Sequence, residues 1–419
     1  MMTVCDPATG ELVSPRTKNL VRKDRRPGFD VVLRMERSAV LAFVACPEAR
    51  PAIRAAHEEA IRKAVAYFEA ELLVAKSATD ATGQPMRTTG LIAAGFHHYA
   101  NRAGDPDLHT HVIVANLVKR QDGIWGTFAA GKLMGAASTL SAIYHMVFFA
   151  EMQRCFGVAI RRDPATGYRR LAAVTDAAID EFLVRTHEVE AYLDAKGWPD
   201  TEVARQAAVI ATRRSKAQAE LLADEHTWKA RMEAVGVTRQ SMRQALHLVP
   251  DATAEPPGAL AALCPSQLVE SEARILVRLA TSSPTRIYRE QVVREWAREL
   301  DGVSEIASLV ALVDHTMDET RGLMRRYAAD RDGTALFATA SLDELRSRLG
   351  ERAVAEALAA SSVPLPGRVP GTGNAHPATP DHRAEVSKTS DPQTPFSAGP
   401  VAKGPHGYMV FEAPRSVAL

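Results

Sequence analysis

The sequence predicts an α+β fold: a central antiparallel sheet with helices on one face, then a smaller helical region and a disordered tail. Three observations carry that expectation. In the stretch 29–36, Phe29, Val31, Leu33 and Met35 fall on one side and Asp30, Arg34 and Glu36, with Val32, on the other, the period of a strand with one packed face and one open face. Two further strand candidates, Gly90 to His98 and His109 to Val118, flank turn chemistry at Ala103-Gly104-Asp105-Pro106-Asp107, so an antiparallel hairpin is the natural pairing. Residues 48–74 repeat Ile53, His57, Ile61, Ala64, Phe68 and Leu72 at helical spacing, which supplies an apolar helix face to cover the sheet.

The remaining elements follow in order. Residues 1–27 are polar and turn-rich. After the hairpin, a turn at Asp122-Gly123 leads to Trp125, and residues 136–156 form a strongly apolar helix through Leu140, Ile143, Val147, Phe148 and Met152. Helical patterns dominate from about 174 to 248. A Pro/Ala-rich linker at 249–265 precedes a second helical region, 266–360. From 361 to 419, Pro, Gly, Ser, Thr and His replace aliphatics; such a tail buries too little apolar surface to offset the entropy of ordering. The expected organisation is one domain over 1–248, the linker, the helical region and the tail.

Composition bounds the function. The formal net charge is +1 across 419 residues, so nucleic-acid binding must rest on local features such as the basic segment Arg16 to Arg26. The four cysteines, Cys5, Cys46, Cys155 and Cys264, are far apart and form neither a zinc ribbon nor a disulfide framework, a usage that fits a reducing compartment. The longest uninterrupted apolar run, Ala39 to Cys46, is far short of the ~20 residues of a membrane span. A cytoplasmic protein with no membrane partner is expected. Gly126 to Lys132 approaches a P-loop, but Leu133 stands where a Ser or Thr must hold magnesium, so no nucleotide cofactor is expected either.

The chemistry concentrates in three histidines. His109 and His111 are two apart in a strand and project from one face; His98 ends the preceding strand, which the hairpin folds back beside His109. Three imidazoles at one sheet end suit one divalent metal ion and leave coordination positions for substrate oxygen and water. Manganese, zinc, nickel or cobalt match such ligands better than magnesium, which prefers oxygen. His97 alternates to the other face and is not expected to be a ligand. A lone His-x-His in a strand is often incidental; the third histidine across the hairpin strengthens the metal reading.

Around these residues, Phe96-His97-His98 followed by Asn101-Arg102-Ala103-Gly104-Asp105-Pro106-Asp107-Leu108-His109-Thr110-His111-Val112-Ile113-Val114-Ala115-Asn116 closely resembles the signature of the MobF-type (TrwC/TraI-like) conjugative relaxases. The likeness extends to Asp6–Glu11, Arg26–Asp30, Asp122–Trp125 and Ala211–Lys216, about residues 1–245 in all. It implies a relaxase/HUH-like palm and an endonuclease acting on single-stranded DNA at a transfer origin. In that chemistry a tyrosine attacks one phosphodiester and remains linked to the 5′-phosphate. It also implies that His98, His109 and His111 are the metal ligands. Asp30 would orient a histidine or help deprotonate the tyrosine, its bland alternative being a strand-edge carboxylate. Arg102, Lys119 and Arg120 would meet DNA phosphates, each being equally readable as a solvated charge.

The sequence departs from the family pattern in three places. The family's nucleophilic tyrosines precede the segment that begins here; Tyr67, Tyr99 and Tyr144 match no nucleophile position, and the helicase part is missing. Arg34-Met35-Glu36-Arg37-Ser38 replaces a Ser/Pro-Lys-Ser-rich stretch, removing a lysine and adding an acid. Three readings follow: a truncated, catalytically silent remnant that keeps metal and perhaps single-stranded DNA binding, which is preferred; an active relaxase with a misplaced start codon; and an unrelated three-histidine metal enzyme.

Overall fold

The computed structural model describes residues 27–79, 85–163, 167–215, 218, 222–248, 265–282, 286–329, 334–361 and 408–411. The alternating stretch near the start is strand β1 (Gly28–Arg34), and its buried residues are the odd-numbered set Phe29, Val31 and Leu33. Helices α1 (Arg37–Ala45) and α2 (Arg50–Tyr67) follow; α2 widens into a π-turn at Phe68–Leu72 and leads directly into strand β2 (Val74–Thr79). The hairpin is far longer than its two cores suggest: β3 runs Pro85–Ala100 and β4 runs Pro106–Arg120. A two-residue strand β5 (Trp125–Gly126) precedes α3 (Ala130–Phe156).

These strands build one sheet in the order β1–β4–β3, every pairing antiparallel, with β2 on β3 and β5 on β4. Helices α1, α2 and α3 cover the face carrying Leu33, Val112 and Val114, and that packing forms the core. The opposite face stays open, with Ile92, Phe96 and Ile113 about two-fifths exposed. By length and composition α3 passes as a membrane span, but 72% of its most apolar window is buried in the protein, which makes it the core helix of this fold.

A small hairpin, β6 (Ile160–Arg162) with β7 (Arg169–Leu171), and helices α4 (Asp176–Glu181), α5 (Val184–Lys196), α6 (Glu202–Ala211), α7 (Glu225–Ala234) and α8 (Arg239–Ala245) complete the first unit. The hairpin turn between β3 and β4 is locked from two sides. Asn101 Oδ1 accepts from the Ala103 and Asp105 amides at 2.8 and 3.1 Å, and Trp228 on α7 donates its indole N–H to the Gly104 carbonyl at 2.7 Å. Gly104 itself has φ +85°, and a Cβ there would lie 2.5 Å from Leu222 Cβ, so the position requires glycine.

Two expectations are corrected. The region 266–360 is not wholly helical. Helices α9 (Pro265–Ser282), α10 (Arg289–Glu299) and α11 (Ile306–Met317) lead to a hairpin of β8 (Met324–Ala329) and β9 (Ala335–Thr339), and then to α12 (Leu342–Leu349) and α13 (Glu351–Ser361). The region shares one apolar core with the first unit, and Arg169, 4% exposed in its side chain, reaches across to Asp301 and the Ala297 carbonyl. Helix α10 packs on α3 across that boundary, where Thr139 Oγ1 donates to the Glu290 carbonyl at 2.9 Å. In the expected disordered tail, Tyr408–Phe411 pairs as strand β10 on the outer edge of β3, with Tyr408 opposite Phe96. An apolar, aromatic-rich run meeting unpaired strand amides is the physical reason; the rest of the tail and the basic segment at 16–26 lie outside the described residues.

Candidate metal centre

Register places the three histidines. His98 lies directly opposite His109 in the β3–β4 pair, and His111 sits two residues further along β4 on the same open face. Their ligand nitrogens all lie within 4.8 Å of one another, and the ring centroids are 4.8–5.3 Å apart. Small side-chain rotations close that spread onto metal–nitrogen distances of about 2.0–2.1 Å. The donor set therefore fits a divalent ion.

Hydrogen bonds fix which nitrogen each ring offers. His111 Nδ1 donates to Asp30 Oδ2 at 2.6 Å, and His109 Nδ1 donates to the Asp107 carbonyl at 2.8 Å. Both rings are thereby held with a bare Nε2, the nitrogen left for a metal. Burial pushes the His109 imidazole down to about 4, aided by Arg34 and His111 against the opposing pull of Asp107, so the ring is neutral and ready to ligate near pH 7. Asp30 Oδ1 is buried without a hydrogen-bond partner, so that carboxylate keeps one acceptor unused beside the cluster.

His97 points to the core, where it belongs to a buried polar chain behind the metal ligands. Tyr144 Oη lies 2.6 Å from His57 Nδ1, His57 Nε2 lies 2.7 Å from Thr110 Oγ1, and Thr110 Oγ1 lies 2.7 Å from His97 Nδ1. Burial raises the Tyr144 phenol well above its ordinary pKa and, with the nearby imidazoles, lowers His57 well below its own. Both groups are neutral, and the direction of the bonds follows. The phenol donates to His57, His57 Nε2–H donates to Thr110, the Thr110 hydroxyl donates to His97, and His97 Nε2–H faces Glu58 Oε1 at 3.6 Å. Thr110 sits between His109 and His111, so this chain clamps the register that brings the ligands together.

The remaining residues singled out from sequence are dispersed. Arg102 lies in the turn four residues past His98. Lys119 is on the open face, but eight residues beyond His111, about 27 Å along the strand. Arg120 falls on the other face and pairs with Asp122. Neither flanks the metal cluster. Tyr67 and Tyr144 are buried, and Tyr99 packs on Phe43 and under Arg54 on the helix side. Sequence reading passed over Asp107, treated as turn chemistry; its carboxylate is 2% exposed and joins Arg34 at 2.7 Å to His109 at 3.5 Å. The signal was its place two residues before the first histidine of His-x-His.

A family model described as TrwC relaxase matches residues 2–235, more than half of the chain. Among curated relatives, the multifunctional conjugation protein TraI of Escherichia coli is 25% identical over 240 residues, which is 56% of this chain and 13% of TraI. TraI of Escherichia coli strain K12 is 30% identical over 130 residues, 31% of this chain and 7% of that protein. The chain thus spans 13% or less of the length of these relatives. Similar solved structures include the conjugative relaxase TrwC in complex with oriT DNA. The metal-free complex is 24% identical with a TM-score of 0.47, covering 55% of this chain and 80% of that one. The copper-bound complex is 25% identical with a TM-score of 0.47, covering 53% and 76%.

Proposed function

The chain belongs to the TrwC relaxase family, and from that premise we propose that it binds single-stranded DNA of a transfer origin across the open sheet face, at a divalent metal held by His98, His109 and His111. The observation that carries this reading is the paired register of His98 and His109, with His111 oriented by Asp30. Imidazole ligands favour manganese, zinc, nickel or cobalt over magnesium. A bound ion supplies Lewis-acid polarisation of a phosphate oxygen. The chain's own residues do the rest. Asp30 and the Asp107 carbonyl keep two rings in the ligating tautomer, and the free Asp30 Oδ1 stands ready to accept a proton from an attacking hydroxyl. Exposed Ile92, Phe96 and Ile113 offer apolar surface on which bases of a single strand stack.

Tyr67 and Tyr144 are too deeply buried to attack a phosphodiester, and Tyr99 is turned to the helices. None of these three serves as the nucleophile, so the proposed activity is DNA binding; nicking requires another tyrosine at the open face. The test is incubation with an oligonucleotide carrying an origin hairpin and single strand, plus manganese, followed by a denaturing gel and a salt titration of binding. Salt-dependent binding without a covalent band is expected. A covalent band lost in His109→Ala would replace this reading with that of an active relaxase, and no binding at all would remove the DNA function.

A further inference from the structure

Beside the cluster, beyond Asp107, a cavity of about 220 Å³ opens between the end of β1, the start of α1, one face of α3 and the β6–β7 hairpin. Five arginines line it against two carboxylates, Glu36 and Asp107. Burial raises the Glu36 pKa, which weakens one of the two negative charges. Three of the arginines are committed elsewhere. Arg169 turns to Asp301, Arg170 to Asp163 and Asp176, and Arg298 stacks over Tyr168. The other two keep donor capacity. Arg34 Nε is buried with no hydrogen-bond partner, and Arg37 donates to the Pro106 carbonyl rather than to a carboxylate. Ser141 and His145 add polar groups from α3, while Met35, Ala142 and Tyr168 leave an apolar flank.

An unmet guanidinium donor at a net-positive, half-open cavity is a site for an anion with planar-acceptor geometry, and phosphate oxygens match it. We infer that this cavity is a nucleotide pocket, in which Arg34 and Arg37 hold a phosphate and the sugar and base lie against Met35, Ala142 and Tyr168. The pocket deepens the DNA-binding reading and rests on it for its biological ligand: the strand crossing the metal cluster would place a neighbouring nucleotide here. Asp107 couples the two sites, since the same carboxylate meets Arg34 and His109. The volume suits one nucleotide unit, being smaller than the roughly 300–1,000 Å³ of pockets for drug-sized ligands.

The experiment measures thymidine monophosphate binding by calorimetry to the full chain in chelator, with inorganic phosphate as competitor. Saturable binding is expected, with phosphate displacing the nucleotide only at tenfold or higher concentration. Arg37→Ala should weaken binding about tenfold and Ser141→Leu, which fills the cavity, should abolish it. Thermal melting of each variant verifies that it is folded; Arg37→Lys supplies a second, milder substitution expected to weaken binding less than Arg37→Ala. His226→Ala, at an exposed histidine outside the cavity lining, should bind the nucleotide as the parent does. Absence of saturable binding, equal affinity for inorganic phosphate, or unchanged binding in both folded cavity variants overturns the pocket. Loss in His109→Ala alone would assign the binding to the metal cluster and overturn it too. The DNA function is read separately, from manganese-dependent oligonucleotide binding, so the two ideas fail independently.

Discussion

His97 and Thr110 face each other across β3 and β4, with Nδ1 and Oγ1 2.7 Å apart, on the buried side of the strands whose open side carries His98, His109 and His111. A strand slip of one residue would turn every ligand into the core and every core residue outward. The buried Thr110 hydroxyl is the hub of that side, meeting both His57 Nε2 and His97 Nδ1 in the observed register.

Thr110→Val keeps the shape and removes that hub, leaving His57 Nε2 and His97 Nδ1 each without a partner. The expected outcome in denaturant unfolding is a loss of about 1–3 kcal/mol, the usual cost of stranding buried polar groups. Metal titration on the same variant should show weaker binding, because the register clamp and the ligands share β4.

Asp30→Asn retains volume and loses the charged acceptor for His111 Nδ1. Removing such an outer partner of a ligating histidine typically lowers metal affinity by about 10–100-fold. Calorimetric metal titration should show that loss with a nearly unchanged melting temperature. Equal affinity in the two proteins would deny Asp30 an orienting role.

Stability should fall on acidification, and His57 sets the direction. Its folded pKa is depressed by burial, so between that value and the ordinary one near 6.5 the unfolded chain holds a proton that the folded chain refuses. The contribution is complete above pH 6.5 and is lost as pH drops below it, with a limiting slope of about 1.4 kcal/mol per pH unit for one proton. Unfolding curves at pH 7.5, 6.5 and 5.5 measure it. His57→Phe should start less stable and show a shallower decline.

Gly104→Ala places a methyl 2.5 Å from Leu222 Cβ at a backbone angle of +85°. A cost of about 2 kcal/mol or more is expected from strain at such a conformation alone. Because Trp228 holds the same turn, the released hairpin end should also exchange its amide protons faster at Asn101 and Asp105.

Much of the site was legible because its signals are local and periodic. Alternation in Phe29–Met35 fixed the faces of β1, and the two-residue spacing of His109 and His111 fixed theirs. What escaped depends on tertiary context. β2 follows α2 with no turn residue between them, so the apolar pattern of residues 48–74 read as one helix. The first turns of α3 hold Gly131 and Gly135, poor helix formers rescued by packing. The β8–β9 hairpin is short, and Arg325, Arg326 and Tyr327 on it are exposed, which hides its period. Lys119 and Arg120 seemed to flank the histidines because sequence distance does not reveal that a fifteen-residue strand carries them to the far end of the sheet. The Arg34–Asp107–His109 link joins residues 73 positions apart, beyond any local pattern.

Cobalt titration followed by visible absorption tests the metal centre most directly, since the spectrum reports both stoichiometry and imidazole coordination. One cobalt per chain is expected, with the band lost in each of His98→Ala, His109→Ala and His111→Ala and kept in a His187→Ala control. A band that survives all three substitutions, or that never forms in the parent, would contradict convergence of these rings on one ion.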